Sequence, residues 1–156
     1  MCGISTGHGV GTRPFVCASA HAPRGRKKCD IESGRTLAVP SLLLVDDDLP
    51  LLGALSRFLA DSGFQVVPCS TFEDAKREIG TLRPEIVVTD VRLGAFNGLQ
   101  LALLARDVRA DVRVVVFSGF DDPVLKEEAR RIGATYLIKP VSGHALVKAL
   151  RSAESS

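Results

Sequence analysis

From Pro40 onward the chain alternates between two patterns of apolar residues. Short unbroken apolar runs appear in SLLLVD (41–46), QVVPC (65–69), EIVVTD (85–90), VRVVVFS (112–118) and TYLIK (135–139). Runs of this length and β-branched content predict strands covered on both faces. Between them lie longer stretches in which apolar residues recur every three or four positions. In 49–64 these are Leu52, Leu55, Phe58 and Leu59, with Pro50 in the first turn and Gly63 at the exit. The spacing and the end signals predict a helix.

The same reading predicts helices over 70–82, capped at Ser70 or Thr71 with acids in the first turn. It predicts another over 97–108, with Leu99, Leu101, Ala102 and Leu103 on a broad apolar face. A third spans 122–133, with Asp122 as cap, Pro123 near the start and Gly133 at the exit, and the last spans 143–154. Five strands and five helices in strict alternation predict an α/β domain, a parallel sheet wound on both faces by helices through right-handed crossovers. Ligands of such sheets bind beyond the carboxyl ends of the strands.

Residues 1–39 break the pattern. They hold six of the fourteen glycines and the basic run RGRKK, and show neither period. They are expected to be a disordered basic leader, with the folded domain at 40–155. Six of the twenty Lys and Arg residues but only two of the eighteen acids fall there, so the domain itself is slightly acidic. That charge argues against direct DNA binding by the domain. Cys2, Cys17 and Cys29 lie in the leader and Cys69 near a strand end. No two are spaced as the close pairs of zinc modules, so no zinc site is expected. No apolar stretch is long enough for a membrane span and no secretory signal is visible, which points to a cytoplasmic protein with reduced cysteines. Apolar residues make up 46% of the chain, enough for a core. Aromatics are 5% with no Trp, so Leu, Val, Ile and Ala must fill it.

The strand ends carry the chemistry. Strand one runs into Asp46, Asp47 and Asp48, strand three ends at Asp90, strand four at Ser118, and strand five at Lys139 followed by Pro140. Adjacent carboxylates repel and raise the cost of ionising one another, so this edge must meet positive charge. Two or three carboxylates suit one Mg²⁺, which takes oxygen ligands. One carboxylate can attack phosphorus to give an aspartyl-phosphate, whose oxygens the metal, the lysine and the serine hydroxyl would then meet.

With these residues in place, 40–155 resembles the receiver domain of two-component response regulators. LLLVDDD is similar to that family's first-strand acidic pair, VVTDVRLGAFNGLQL to its phosphoacceptor stretch, VVVFSG to its hydroxyl position and YLIKP to its lysine–proline pair. The resemblance implies a flavodoxin-like sheet of order 2-1-3-4-5. It implies Asp90 as phosphoacceptor, with Ser118 and Lys139 assisting, and Mg²⁺ held by Asp46, Asp47, Asp90 and the backbone carbonyl of Arg92, whose side chain is not required. Asp48 falls at a variable position and is expected to be a loop or helix-cap residue. The resemblance further implies a switch through Ser118 and Tyr136, a cis bond before Pro140, and Gly98 at the family's glycine eight residues after the acceptor. Gly119 leaves room beside the phosphoryl group. Gly94 departs from the family's usual proline and is expected to loosen the loop. The implied partners are a sensor histidine kinase or histidine phosphotransfer protein, and a downstream protein target bound by the helix 4–strand 5–helix 5 face.

An aspartyl phosphohydrolase would carry a second acid two residues after its nucleophile, and Arg92 stands there. The chain is therefore expected not to be a turnover enzyme, beyond assisting its own phosphorylation and dephosphorylation. The alternative is a phosphate-independent interaction module of the same fold. It would be marked by loss of an acid, the hydroxyl or the lysine, and all are present. No output domain is expected after the last helix, making the chain a stand-alone receiver or a fragment.

Overall fold

The computed structural model describes residues 38–152. All of the expected leader but Ala38 and Val39, including its three cysteines, lies outside the described residues. Five parallel strands, β1 (Ser41–Val45), β2 (Gln65–Cys69), β3 (Ile86–Asp90), β4 (Arg113–Ser118) and β5 (Thr135–Ile138), form one sheet in the order β2-β1-β3-β4-β5. Five helices alternate with them: α1 (Leu49–Asp61), α2 (Phe72–Leu82), α3 (Gly98–Val108), α4 (Pro123–Arg131) and α5 (Gly143–Ser152). The expected alternation and strand order are both observed.

Strand parity divides the core. Successive side chains of a strand point to opposite faces. Leu43, Val45, Val87, Val114 and Val116 pack with residues of α2, α3 and α4. Leu42, Leu44, Ile86, Val88, Val115 and Phe117 pack with Leu52 and Leu59 of α1 and with Leu146 and Leu150 of α5. β1 and β3 hold the centre and are almost wholly buried, which explains their unbroken apolar runs. β2 and β5 are edge strands and keep exposed positions.

Helix starts follow the expected caps. The side chain of Asp48 accepts from the Leu51 N–H at 3.1 Å, Thr71 from Asp74 at 3.2 Å, and Asp122 from Val124 at 2.9 Å. Each satisfies an N–H that the first turn leaves without a partner. One position differs from expectation: Leu103, expected on the apolar side of α3, is 54% exposed. It stands about 100° round the helix from Ala102, and Leu99, Leu101, Ala102 and Ala105 supply the buried face.

A second difference lies between β3 and α3. A two-residue antiparallel ladder joins Arg92–Leu93 to Phe96–Asn97, and Gly94 takes φ +59° in its turn. Gly94 therefore builds a tight turn rather than loosening a loop. A proline, fixed near φ −65°, could not take this conformation. No helix among the described residues is long and apolar enough to cross a membrane.

Candidate functional site

Register brings the site together. Val45 pairs with Thr89, so the next residues, Asp46 and Asp90, stand side by side at the carboxyl edge. Ser118 pairs with Ile138, which sets Lys139 one step beyond. Parity then sorts these side chains. Asp46 and Asp90 continue the alternation of Leu44 and Val88, and Lys139 that of Leu137, all on the α1/α5 side. Ser118 continues the alternation of Val116, on the other side.

The contacts follow that sorting. Lys139 Nζ donates to Asp46 Oδ2 at 2.8 Å and to Asp90 Oδ2 at 2.8 Å. Asp46 is fully buried, and its Oδ1 accepts from the Asp48 N–H at 2.9 Å. Asp90 Oδ1 accepts from the Arg92 N–H at 3.2 Å. Carboxylate oxygens of Asp46, Asp47 and Asp90 lie within 4.8 Å of one another, and Asp47 is exposed. Burial alone would lower the pKa of Lys139. Its hydrogen bonds to Asp46 and Asp90, and their charges, outweigh burial and leave it raised. The ammonium therefore stays protonated and lies between two of the acids.

The expected relief of this repulsion is a metal ion, with Lys139 kept for a phosphoryl group. In the structure Lys139 already bridges two of the three acids. The signal for that pair was the shared parity of Asp46, Asp90 and Lys139, which needs the strand register to be read.

Ser118 is buried, and its Oγ accepts from the Phe120 N–H at 3.2 Å. The Tyr136 hydroxyl donates to the Phe120 carbonyl at 2.8 Å, with the ring half-buried. Both expected switch residues thus meet at the loop after β4 rather than at the acids. The Lys139–Pro140 bond is cis, as the resemblance implied. At Gly98 a Cβ would overlap the Asp90 carbonyl oxygen and come within 2.7 Å of Thr89 Oγ1. This glycine lets α3 begin against the backbone of the candidate acceptor. A Cβ at Gly119 would meet nothing within 4 Å, consistent with open space beyond Ser118. The Arg92 side chain, which the resemblance does not require, lies over the Phe120 ring.

The fold and the site together define a parallel α/β domain with three acids and a lysine gathered at the carboxyl edge of its sheet. The chain matches the response regulator receiver domain over residues 42–151, and it belongs to that family. The photosynthetic apparatus regulatory protein RegA of Rhodovulum sulfidophilum is 36% identical over 114 residues, which are 72% of this chain and 62% of RegA. The acid tolerance regulatory protein ActR of Rhizobium meliloti is 32% identical over 111 residues, 70% of this chain and 57% of ActR. The chain thus spans about three-fifths of the length of these curated relatives. Among solved structures, a Burkholderia pseudomallei response regulator holding a phosphorylated aspartic acid, calcium and citrate superposes with a TM-score of 0.68 at 28% identity. That match covers 74% of this chain and 69% of the other. A CheY-like receiver domain protein of Methanospirillum hungatei shares the fold, with a TM-score of 0.70 at 22% identity over 74% of this chain and 93% of that one.

Proposed function

We propose that this chain is a phosphoacceptor in a two-component relay, with Asp90 receiving the phosphoryl group from a sensor histidine kinase or a histidine phosphotransfer protein. The observation that carries the reading is the placement of Asp90 beside Asp46, Asp47 and the Lys139 ammonium at the carboxyl edge of the sheet. In the transfer a carboxylate oxygen of Asp90 forms a new bond to phosphorus as the donor's phosphorus–nitrogen bond breaks. The imidazole leaves with that electron pair and takes up a proton. The related Burkholderia regulator, which carries a phosphorylated aspartic acid, supports the reading.

The donor set fits Mg²⁺. Octahedral coordination at 2.0–2.1 Å sets neighbouring oxygens about 3 Å apart and opposite ones about 4 Å apart. The three carboxylates lie within 4.8 Å of one another, close enough for all three to turn an oxygen toward one ion. Asp46, Asp47, Asp90 and the Arg92 backbone carbonyl would hold the ion, which supplies positive charge for the phosphoryl oxygens. Lys139 already reaches Asp90 Oδ2, so a small displacement takes its ammonium to a phosphoryl oxygen. Ser118 Oγ accepts from the Phe120 N–H and keeps its hydroxyl proton free to donate, so it reaches a phosphoryl oxygen by moving toward Asp90 with the Phe120 N–H still on it. That move pulls on the loop whose Phe120 carbonyl holds Tyr136, and so links the site to the face of α4, β5 and α5. Phe120, Val124 and Ile138 are 60%, 66% and 39% exposed. They give a downstream protein target an apolar place to dock, and signalling proceeds through that contact rather than by turnover of a substrate or direct DNA binding.

Mg²⁺ titration followed by NMR tests the metal assignment. Asp47→Ala is expected to weaken binding at least about tenfold, equivalent to about 1.4 kcal/mol, because it removes an exposed ligand without disturbing a buried contact. Equal affinity in the two proteins removes Asp47 from the metal site. Transfer from a phosphorylated histidine phosphotransfer protein to the wild type but not to Asp90→Ala tests the acceptor role.

A further inference from the structure

Arg92 stands two residues after Asp90, on the turn that follows β3. Its guanidinium carbon lies 4.8 Å from the centroid of the Phe120 ring. Phe120 stands two residues after Ser118, on the loop that follows β4. Three contacts converge on it. Arg92 covers its ring, the Tyr136 hydroxyl donates to its carbonyl, and its N–H donates to Ser118 Oγ. Arg92 and Phe120 therefore connect the two loops that flank Asp90 and Ser118, and the guanidinium is kept off the Asp90 carboxylate. The Asp90 oxygens are met instead by Lys139 Nζ and the Arg92 N–H.

On the reading of Asp90 as acceptor, we propose that Arg92 is a phosphoryl-contacting residue. Its guanidinium exchanges the Phe120 ring for an oxygen of the phosphoryl group and, in leaving, frees Phe120 for the docking face. The exchange follows from the relative strength of the two partners. A cation over an exposed aromatic ring gains little, because water competes for the charge. A guanidinium meeting a phosphoryl group makes a charge-assisted and often paired hydrogen bond, about twice as strong as a neutral one. The second partner exists only after phosphorylation, so phosphorylation biases the equilibrium. The distance is within range: the Arg92 backbone is already hydrogen-bonded to the carboxylate that would carry the phosphoryl group, and the side chain is long enough to turn back over it.

The chain contains no tryptophan, so Phe120→Trp makes a single fluorescent reporter, and an indole holds a cation better than a phenyl ring. Acetyl phosphate with Mg²⁺ is added to Phe120→Trp and to the same variant carrying Arg92→Gln, with the label followed by intact mass. The first should shift its emission on labelling. The second should start near the shifted position and move little. In parallel, Arg92→Gln alone should bind beryllofluoride, a phosphoryl mimic, roughly five- to tenfold more weakly than wild type, and Arg92→Lys should recover part of the loss. Labelled proteins with the same reporter response, or equal beryllofluoride affinity for Arg92→Gln and wild type, would overturn the exchange and leave the acceptor reading standing. No label on either protein would overturn both.

Discussion

Gly98→Ala is expected to destabilise the domain by about 2–3 kcal/mol and to slow phosphorylation by roughly 100-fold. The added Cβ would overlap the Asp90 carbonyl oxygen and crowd Thr89 Oγ1. Neither neighbour can yield cheaply. Thr89 and Asp90 belong to the central strand, whose register with β1 and β4 is fixed on both sides. The start of α3 is tied down as well, since the Gly98 N–H donates to the Val91 carbonyl at 2.8 Å. Relief must come from a shift of the Asp90 backbone, and a displacement of about 1 Å in a reacting group is enough for the loss in rate. Gly53→Ala is the control. It lies mid-helix in α1, with nothing within 4 Å of a built Cβ, and should be stabilising by up to about 1 kcal/mol. Chemical denaturation and labelling rates of the two variants decide the matter. Gly98→Ala behaving like Gly53→Ala would remove the close approach from the account.

Lys139→Met should cost about 3 kcal/mol in the absence of divalent ions, and Mg²⁺ should restore more stability to it than to wild type. The ammonium is the cation bonded to both Asp46 and Asp90, and the Asp46 side chain is 1% exposed. Removing one partner of a buried pair leaves the other charge uncompensated, which is costly; methionine replaces the stem but not the charge. In urea the midpoint should fall by roughly 1–2 M in chelator. A divalent ion bound by the same acids supplies the missing charge, so the gap between variant and wild type should narrow as Mg²⁺ is added. The sign with pH follows from the raised pKa of Lys139. Its contribution is complete below the ordinary lysine value of 10.5, and is lost as pH rises through the higher folded value. An unchanged midpoint in chelator would show that the acids do not depend on Lys139.

The sequence made most of this arrangement legible because the signals were local. Unbroken runs such as LLLV and IVVT mark strands buried on both faces, and Asp48, Thr71 and Asp122 mark helix starts by the N–H groups they satisfy. The strand ends carried the candidate site, because a parallel sheet collects its carboxyl termini on one edge. What escaped depended on register and on side-chain direction. The Lys139–Asp46 pair joins residues 93 apart, and only the parity of three strands brings them to one face. Gly94 stands where the family usually has proline, whereas its positive φ belongs to a turn that the 92–97 sequence does not announce. The Arg92–Phe120 contact joins two loops, where no periodicity exists to be read.

The central claim is that Asp90 accepts the phosphoryl group, and intact-mass measurement tests it most directly. Wild type and Asp90→Ala are incubated with acetyl phosphate and Mg²⁺, and each is weighed before and after brief exposure to mild base. The account predicts one phosphoryl group on wild type, lost in base as an acyl phosphate must be, and none on Asp90→Ala. A base-stable label on Ser118, or full labelling of Asp90→Ala, would contradict it.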